Sequence, residues 1–306
     1  MGRVLVTRVS DIQTETITEE TATPTSGLLL GSSVMGSTGS DSGSVSDGFV
    51  FGDGTVGSGG ELPRFSDSFE TGDRSFTDGG VSWTSSNNVT VSAENPRTGT
   101  YSLRFKYAGV ADGEDGFSEQ RFSLGADYTS LWISYYIYVP SNYYHRNSAG
   151  VDNNKWFRVW ASDTDFHLTT EMEEQDDHDG TSYIRRFLCG SRGINGAPTS
   201  EPGRADIIGA AYPIKPGQWN YMQFWFQSAS DRETQDGTAE WWANGTKIQW
   251  LNWDLWANDG GDGGDPGQPA YVNNGYILGW SNAGFDNDTI FHVDDIDIYT
   301  SNPGWW

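Results

Sequence analysis

The stretch that decides the fold runs from Gly217 to Trp250. It reads GQWNYMQFWFQ over residues 217–227 and GTAEWWANGTKIQW over residues 237–250. The aromatic-rich alternation of residues 219–227 predicts a half-buried β-strand. The dipeptide Asn244-Gly245 between two strand-like runs predicts a hairpin, because both turn positions require a positive φ. The sequence therefore predicts three consecutive antiparallel strands in this stretch.

The same kind of signal extends through the chain on either side. Residues 131–139, LWISYYIYV, are apolar on both faces, which predicts a central strand. In residues 101–105 the alternation places Leu103 and Phe105 on the face opposite Ser102 and Arg104. Long runs of helical period with caps are absent from the sequence. The pattern predicts an all-β sandwich.

Several motifs resemble those of the concanavalin A-like lectin/glucanase superfamily. They are GQW at 217–219, DGTAEWWANG at 236–245, NPRTGTYSLRF at 95–105, FSDSFE at 65–70 and the closing strand IFHVDDIDIY at 290–299. The likeness is to the branch of laminin-G-like modules and heparinase-like polysaccharide lyases, as found also in phage structural proteins. It implies a concanavalin A-like two-sheet jelly-roll sandwich over residues 65–300, and it specifies fold more than function.

Aromatic residues divide the chain into two parts. All Trp and Tyr residues follow position 80, and before Phe65 the only aromatics are Phe49 and Phe51. Residues 1–64 are therefore expected to form an extended Gly/Ser/Thr-rich anchoring arm, and residues 65–306 the sandwich. The candidate partner-anchoring residues are the arm's apolar islets, Leu28, Leu29, Leu30, Phe49 and Phe51. A disordered tail is the alternative.

Charge and cysteine content exclude several function classes. The net charge is −24, and no basic footprint for nucleic acid or an anionic membrane is visible. No apolar run approaches the length of a membrane span. Cys189 is the single cysteine, so the chain has no intramolecular disulfide. No signal peptide pattern is seen at the N-terminus.

This combination leads to a functional expectation. Lectin-like sandwiches usually act outside cells, and a phage structural protein reaches the exterior by lysis after synthesis in the host cytoplasm. We therefore expect a non-enzymatic virion protein (a capsid decoration, head fibre or tail appendage). Residues 1–64 would bind capsid or tail proteins, and the sandwich would bind a cell-surface glycan as a homo-oligomer. A polysaccharide lyase or glycanase acting on acidic polysaccharide, and a cellular lectin or adhesin, stay open as alternatives.

Exposed aromatic rings are the expected glycan contacts. Adjacent residues of a strand face opposite ways, so one of Trp241 and Trp242 belongs to the core and the other does not. A subunit interface is the competing explanation for such rings. The candidate glycan-binding residues are Trp241, Trp242, Trp250, Trp253, Trp256, Tyr143 and Tyr144.

Two stretches of the chain resemble catalytic patterns. Residues 171–176, EMEEQD, have the acid spacing of the glucanase motif but not its residue identities, which predicts a solvated acidic loop. For a lyase, Tyr143-Tyr144-His145-Arg146 supplies a base and a neutralising cation, and Glu119 and Arg121 are expected on a concave face. However, GYILGWSN at 275–282 lacks the lysine of the lyase pattern Tyr-x-Lys-x-Gly-x-Tyr. The sequence thus favours a protein without catalytic residues.

Calcium is the one candidate cofactor. Oxygen ligands on a flexible backbone suit this hard cation, and superfamily modules often bind it near their rim. The candidate ligands are Asp259, Asp262 and Asp265 in a Gly-rich loop, together with Asp286 and Asp288. A solvated Gly/Asp loop is the alternative.

Overall fold

The computed structural model describes residues 62–144, 146, 153–162, 166–174, 182–189, 206–231, 234–253, 255–257 and 268–305. For residues 173–174, 182–189, 206, 253, 256–257 and 268 it describes the backbone. Leu62–Pro303 forms one unit by its contacts. Outside the described residues lie the arm candidates Leu28, Leu29, Leu30, Phe49 and Phe51 and the calcium candidates Asp259, Asp262 and Asp265.

The described residues form β-strands and no α-helix, which confirms the all-β fold class. None of them therefore belongs to a helix that is long and apolar enough to cross a membrane. In chain order the strands are β1 (Phe65–Asp67), β2 (Thr77–Asp78), β3 (Val81–Asn87), β4 (Val89–Ser92), β5 (Ser102–Tyr107), β6 (Gly116–Phe117), β7 (Glu119–Tyr128), β8 (Ser130–Val139), β9 (Asn154–Trp160), β10 (His167–Glu174), β11 (Ser182–Cys189), β12 (Asp206–Ile208), β13 (Gln218–Gln227), β14 (Gly237–Ala243), β15 (Thr246–Trp253), β16 (Trp256–Ala257), β17 (Gln268–Pro269), β18 (Val272–Ile277), β19 (Trp280–Ser281) and β20 (Thr289–Tyr299).

Two antiparallel sheets make up the sandwich. The first sheet has the order β15-β14-β13-β8-β20-β5-β4, with β1 paired to β20. The second has the order β12-β11-β10-β9-β18-β7-β3-β2, and β19 pairs with both β6 and β9. Strands β16 and β17 form a separate ribbon. This is the two-sheet antiparallel sandwich that the sequence predicts.

Aromatic side chains from both sheets fill the core. Phe157 of the second sheet lies 4.9 Å from Phe224 and 6.1 Å from Tyr135 of the first, between ring centres. Phe166 and Phe226 meet in the same way at 5.6 Å. All five rings are at most 1% exposed. Burial of such large rings is the main source of stability in a sandwich without disulfides.

The decisive stretch of sequence forms the predicted three-stranded meander. β13, β14 and β15 are consecutive neighbours, and β8 lies centrally between β13 and β20. The turn residues Asn244 and Gly245 have φ values of 49° and 78°. The Asn244 side chain also accepts a hydrogen bond from the Tyr221 amide at 2.9 Å, which ties the turn to β13.

Two of the motifs quoted for the resemblance, NPRTGTYSLRF at 95–105 and IFHVDDIDIY at 290–299, contact each other in the structure. The Asp294 carboxylate on β20 accepts a hydrogen bond from the Arg97 amide at 2.9 Å, in the turn that precedes β5. The Arg97 guanidinium in turn pairs with Asp295 at 2.5 Å. Burial raises the pKa of Asp294 to about 6. The Asp-Asp pair therefore fastens the Asn-Pro-Arg-Thr-Gly turn to the closing strand.

An irregularity in the pairing of β9 with β10 determines which side chains of β9 face the core. Phe157 pairs with Thr170, but the next pair is Lys155 with Glu171, so Trp156 is an extra residue. Both Trp156 and Phe157 consequently point into the core, where they are at most 1% exposed. Such a bulge re-aims the side chains on either side of it.

Candidate functional site

The outer face of the second sheet carries polar side chains in rows that cross four neighbouring strands, β10, β9, β18 and β7. The first row consists of His167, Trp160, Asn274 and Ser123. The second row consists of Thr169, Arg158, Tyr276 and Arg121. A third, incomplete row holds Glu171, Lys155 and Glu119. We call this set the polar face.

Strand alternation fixes the direction of these side chains. On each strand the residues between them are core residues with at most 1% exposure, namely Phe122, Leu124, Val159, Leu168 and Ile277. Because successive side chains of a strand point to opposite sides, the intervening polar residues face outward. The inward apolar residues thus position the polar face.

Tyr276 lies at the centre of the polar face and is only 4% exposed. Burial raises the pKa of its phenol, a hydrogen bond and the charge of Arg158 partly offset this, and Glu119 and Glu171 raise it further. The phenol is therefore protonated at neutral pH and presents a hydrogen-bond donor. A tyrosine in this state does not act as a ready-made base.

The two acids of the third row are almost buried. Glu119 is 5% exposed and accepts a hydrogen bond from Arg121 Nε at 2.5 Å. Glu171 is 3% exposed and belongs to β10. The prediction of a solvated acidic loop at 171–176 was therefore wrong for residues 171–174. The strand was missed because one of its inward residues, Thr170, is polar and meets Gln249 of the first sheet at 3.1 Å.

The described side chains of the polar face carry one more positive than negative charge, although the whole chain is very acidic. Its described side chains include the cations Arg121, Arg158 and Lys155 and the anions Glu119 and Glu171, whereas the whole chain has a net charge of −24. Two of its buried polar atoms, Arg158 Nε and Thr169 Oγ1, have no hydrogen-bond partner among the described residues. Buried polar atoms without partners are rare in native proteins and point to a missing ligand or water.

Trp160 supplies an aromatic surface within the same face. Its ring centre lies 5.9 Å from that of Tyr276, and the Arg158 and Arg121 guanidinium carbons lie 5.6 and 5.7 Å from the ring centre. The indole is half-buried and separates the charged second row from the amide and hydroxyl groups of Asn274 and Ser123. Sequence reasoning named Glu119 and Arg121 and quoted Tyr276 only within the lyase-like segment 275–282, and it missed Trp160, Arg158 and Thr169.

Two of the predicted glycan-binding residues belong to the core. Trp241 is fully buried and lies 6.5 Å from Trp156. Tyr143 is 8% exposed and packs edge-on against Trp156 and Phe291. Neither ring has a face to offer a sugar, so we correct their assignment to core residues. The expectation that Trp241 and Trp242 face opposite ways is confirmed.

The remaining predicted aromatics lie away from the polar face or have no described side chain. Trp242 and Trp250 are half-buried on the first sheet, where Trp242 Nε1 donates a hydrogen bond to Glu240 at 3.0 Å. Tyr144 is exposed. Only the backbone is described for Trp253 in β15 and Trp256 in β16. A glycan role for these five residues stays a prediction.

The other predicted site residues are engaged with protein groups. Arg146 is buried and donates hydrogen bonds to the carbonyls of Val110, Ala111 and Ala283, so it anchors loops rather than facing a ligand. Asp286 pairs with Arg146 at 2.6 Å and Asp288 pairs with Lys106 at 2.6 Å. His145 lies outside the described residues. Calcium binding stays a prediction.

Comparison with known proteins gives similarity of fold only. No protein-family model and no curated protein sequence matches the chain. Among solved structures, it is similar to a mutant of alginate lyase Aly36B in complex with alginate trisaccharide (TM-score 0.45, 14% identity, 66% of this chain and 84% of that one). It is similar also to a laminarinase from Flavobacterium sp. UMI-01 (TM-score 0.42, 10% identity, 78% and 99%) and to β-agarase A from Zobellia galactanivorans (TM-score 0.40, 12% identity, 72% and 93%).

Proposed function

We propose that this protein binds an anionic carbohydrate across the polar face of the second sheet. The observation that carries the proposal is the second row, in which Arg158 and Arg121 flank the protonated phenol of Tyr276. Arg158 Nε and Thr169 Oγ1 in this row are buried atoms that have no hydrogen-bond partner among the described residues. The row therefore supports recognition of a carboxylate or sulfate.

The residue types of this face match the chemistry of an acidic sugar. Arginine presents a planar fork of donors that suits a carboxylate, and such charge-assisted hydrogen bonds are the stronger ones. Trp160 offers an apolar surface for the C–H faces of a ring. A neutral glycan would make no use of the positive charges of Arg158 and Arg121.

Calorimetric titration with oligomers of a polyuronate tests the proposal. Arg158→Met is expected to weaken binding roughly tenfold or more, because a charge-assisted hydrogen bond is lost. It should also reduce the dependence of affinity on salt. The matched control is Arg104→Met, since Arg104 is a half-buried arginine on the first sheet. Equal affinities for wild type and both variants would contradict the proposal.

A polysaccharide lyase is the second candidate, favoured by the placement of Tyr276 between two arginines. The arginines would neutralise the uronate carboxylate, and His167 of the adjoining row is the residue type that suits a base. Because its phenol is protonated, Tyr276 would act as a proton donor. A lyase would produce the ultraviolet absorbance of unsaturated uronates, and Tyr276→Phe should abolish it without abolishing binding. Binding without any absorbance change would leave a lectin.

A place in a phage virion remains part of the proposal and depends on the sequence of residues 1–64. If the arm anchors the protein, the full-length chain should form a fixed oligomer or bind capsids. A protein of residues 61–306 should do neither, but it should bind glycan as well as the full-length chain does. Size-exclusion chromatography with light scattering and capsid co-sedimentation measure this. A truncated protein that still assembles would rule out the arm as the anchor and favour a cellular lectin.

A further inference from the structure

A second polar feature adjoins the polar face at its first row. It is an open surface cavity of about 360 Å³. Its side chains are hydroxyls, amides and one carboxylate, and none of its described lining residues is a cation. The lining side chains come from Ser123, Asp127, Ser162, Asn273 and Asn274, and the loop at Gly125 and Ala126 completes the wall.

Hydrogen bonds hold the lining in a fixed arrangement. Asn273 donates to Asp127 Oδ1 at 2.9 Å and lies 3.1 Å from Ser162 Oγ. Its own amide oxygen accepts from the Ser162 backbone at 3.0 Å and from Asn274 at 2.6 Å. Asn273 is therefore fully used in positioning its neighbours. The Asp127 side chain is exposed, and its second carboxylate oxygen has no hydrogen-bond donor among the described residues.

The cavity adjoins Trp160 through its lining residue Asn274. Asn274 pairs directly with Trp160 across β18 and β9, and with Ser123 across β18 and β7. An aromatic ring next to hydroxyl, amide and carboxylate groups is the combination that recognises a sugar ring: the apolar side packs on the indole, and the hydroxyls hydrogen-bond to the polar wall. The sugar here should be uncharged, because an anionic group would meet Asp127 with no cation to offset it.

The distance to the second row relates this cavity to the proposed anion site. Trp160 and Arg158 are two residues apart on β9, and Asn274 and Tyr276 are two apart on β18, which separates the rows by about 7 Å. A sugar unit held by Trp160 and Asn274, at the near edge of the cavity, is therefore about 7 Å from the arginine row, so this unit and the next can belong to one polysaccharide chain. One unit would meet the neutral cavity, and the next would meet the arginines.

We propose that the cavity and Trp160 form a subsite for an uncharged sugar, so that the ligand is a heteropolysaccharide in which uncharged and anionic units alternate. This inference rests on the proposed function, because the arginine row must hold the anionic unit. Under this proposal the outer face distinguishes an alternating polysaccharide from one that is anionic throughout, which anion binding alone does not require. A homopolymeric polyuronate would place a carboxylate against Asp127.

The test compares two anionic probes on the same protein. Hyaluronan oligomers alternate a uronate with an uncharged N-acetylhexosamine, whereas polygalacturonate oligomers of equal length contain uronate alone. Wild-type protein should bind hyaluronan roughly tenfold or more tightly, since one hydrogen-bonded unit is lost or opposed in the other probe. Asp127→Asn and Trp160→Ala should each reduce this preference at least severalfold. Trp219→Ala, which changes a half-buried Trp of the first sheet, should leave it unchanged.

The outcomes separate the two proposals. Equal affinity for both probes, with Arg158→Met weakening both, would overturn the neutral subsite and leave anionic carbohydrate binding intact. A preference for hyaluronan that Asp127→Asn and Trp160→Ala leave unchanged would also overturn it. Failure to bind either probe would instead refute the proposed function itself. Asp127 is exposed, so Asp127→Asn is expected to fold normally, and a thermal unfolding midpoint equal to wild type confirms this.

Discussion

Gly275 of β18 is the position at which the core most directly controls the candidate site. It faces inward between Asn274 and Tyr276, and an added Cβ would lie 2.1 Å from Phe122 Cζ and 2.5 Å from Phe122 Cε2. Ordinary contact begins at 3.4 Å, so the ring or the strand would have to move by about 1.3 Å. Phe122 is 1% exposed and packs edge-on against Trp83 at 6.2 Å, which leaves it little room.

These distances give the expected cost of Gly275→Ala. Overpacking a close-packed core costs about 1–3 kcal/mol, and the lower backbone entropy of alanine in a strand returns about 0.5–1 kcal/mol. A displacement of about 1.3 Å belongs to the upper part of the overpacking range, so the free energy of unfolding should fall by about 1–2.5 kcal/mol in urea denaturation of the full-length chain. Because β18 must move, binding of anionic glycan by the neighbouring Tyr276 should weaken as well.

A double-mutant cycle with Phe122→Leu identifies the cause. The smaller side chain costs stability on its own but removes the atoms that meet the new Cβ, so the double variant should be more stable than the sum of the two changes predicts, by about 1 kcal/mol. Additive losses would mean that Phe122 is not what Gly275 accommodates. A Gly275→Ala protein as stable as wild type would refute the steric reasoning altogether.

Three further predictions concern the stability of the sandwich. Burial lowers the pKa of His292 to about 4, so the unfolded chain binds the proton first and the free energy of unfolding should fall as pH drops from about 6.5 to about 4. The fall in the free energy of unfolding between pH 7 and pH 4.5, measured by urea denaturation, should be smaller for His292→Gln than for wild type. The raised pKa of Asp294 gives the opposite pH dependence in both proteins, so it cancels in the difference between them. Asp67→Ala removes the acceptor of Trp83 Nε1, 2.5 Å away, and should cost about 2 kcal/mol in the same assay; a loss below 0.5 kcal/mol would contradict a structural role for this bond. Arg97→Ala loses an ion pair with Asp295 and a contact with a tyrosine ring 3.4 Å away, and should lower the midpoint of thermal unfolding by an amount that corresponds to about 1–2 kcal/mol. An unchanged midpoint would show that solvent screening cancels both.

The parts of the fold that could be predicted are those specified by local sequence. The Asn244-Gly245 turn and the alternation of residues 219–227 needed no knowledge of distant residues, since turn chemistry and strand period are local properties. The Asp294-Asp295 motif was recognised by resemblance. Its physical role, fastening the turn at Arg97, appears only when residues nearly 200 positions apart meet.

The polar face could not be predicted because its strands are not consecutive. Residues 167–174, 154–160, 272–277 and 119–128 lie side by side in the order β10-β9-β18-β7. Glu119 and Arg121 were singled out from their residue types. Nothing in the sequence placed Tyr276 between Arg121 and Arg158, since β18 follows β9 by more than 100 residues. Aromatic content instead drew attention to Trp241, whose size makes it a core residue.

The bulge in β9 shows why even a correct strand prediction would have assigned this site wrongly. Strict alternation over Asn154–Trp160 groups Trp156 with Arg158 and Trp160 on one face. The extra residue turns Trp156 inward, where its ring lies 5.6 Å from that of Phe291, while Arg158 and Trp160 stay outside. The same shift places Lys155 opposite Glu171 on the outer face. This single irregularity lets the successive residues Trp156 and Phe157 both enter the core. Lys155, Arg158 and Trp160 stay on the outer face of the same strand. Such a bulge is specified by packing between sheets, so the site it builds becomes visible only in the folded chain.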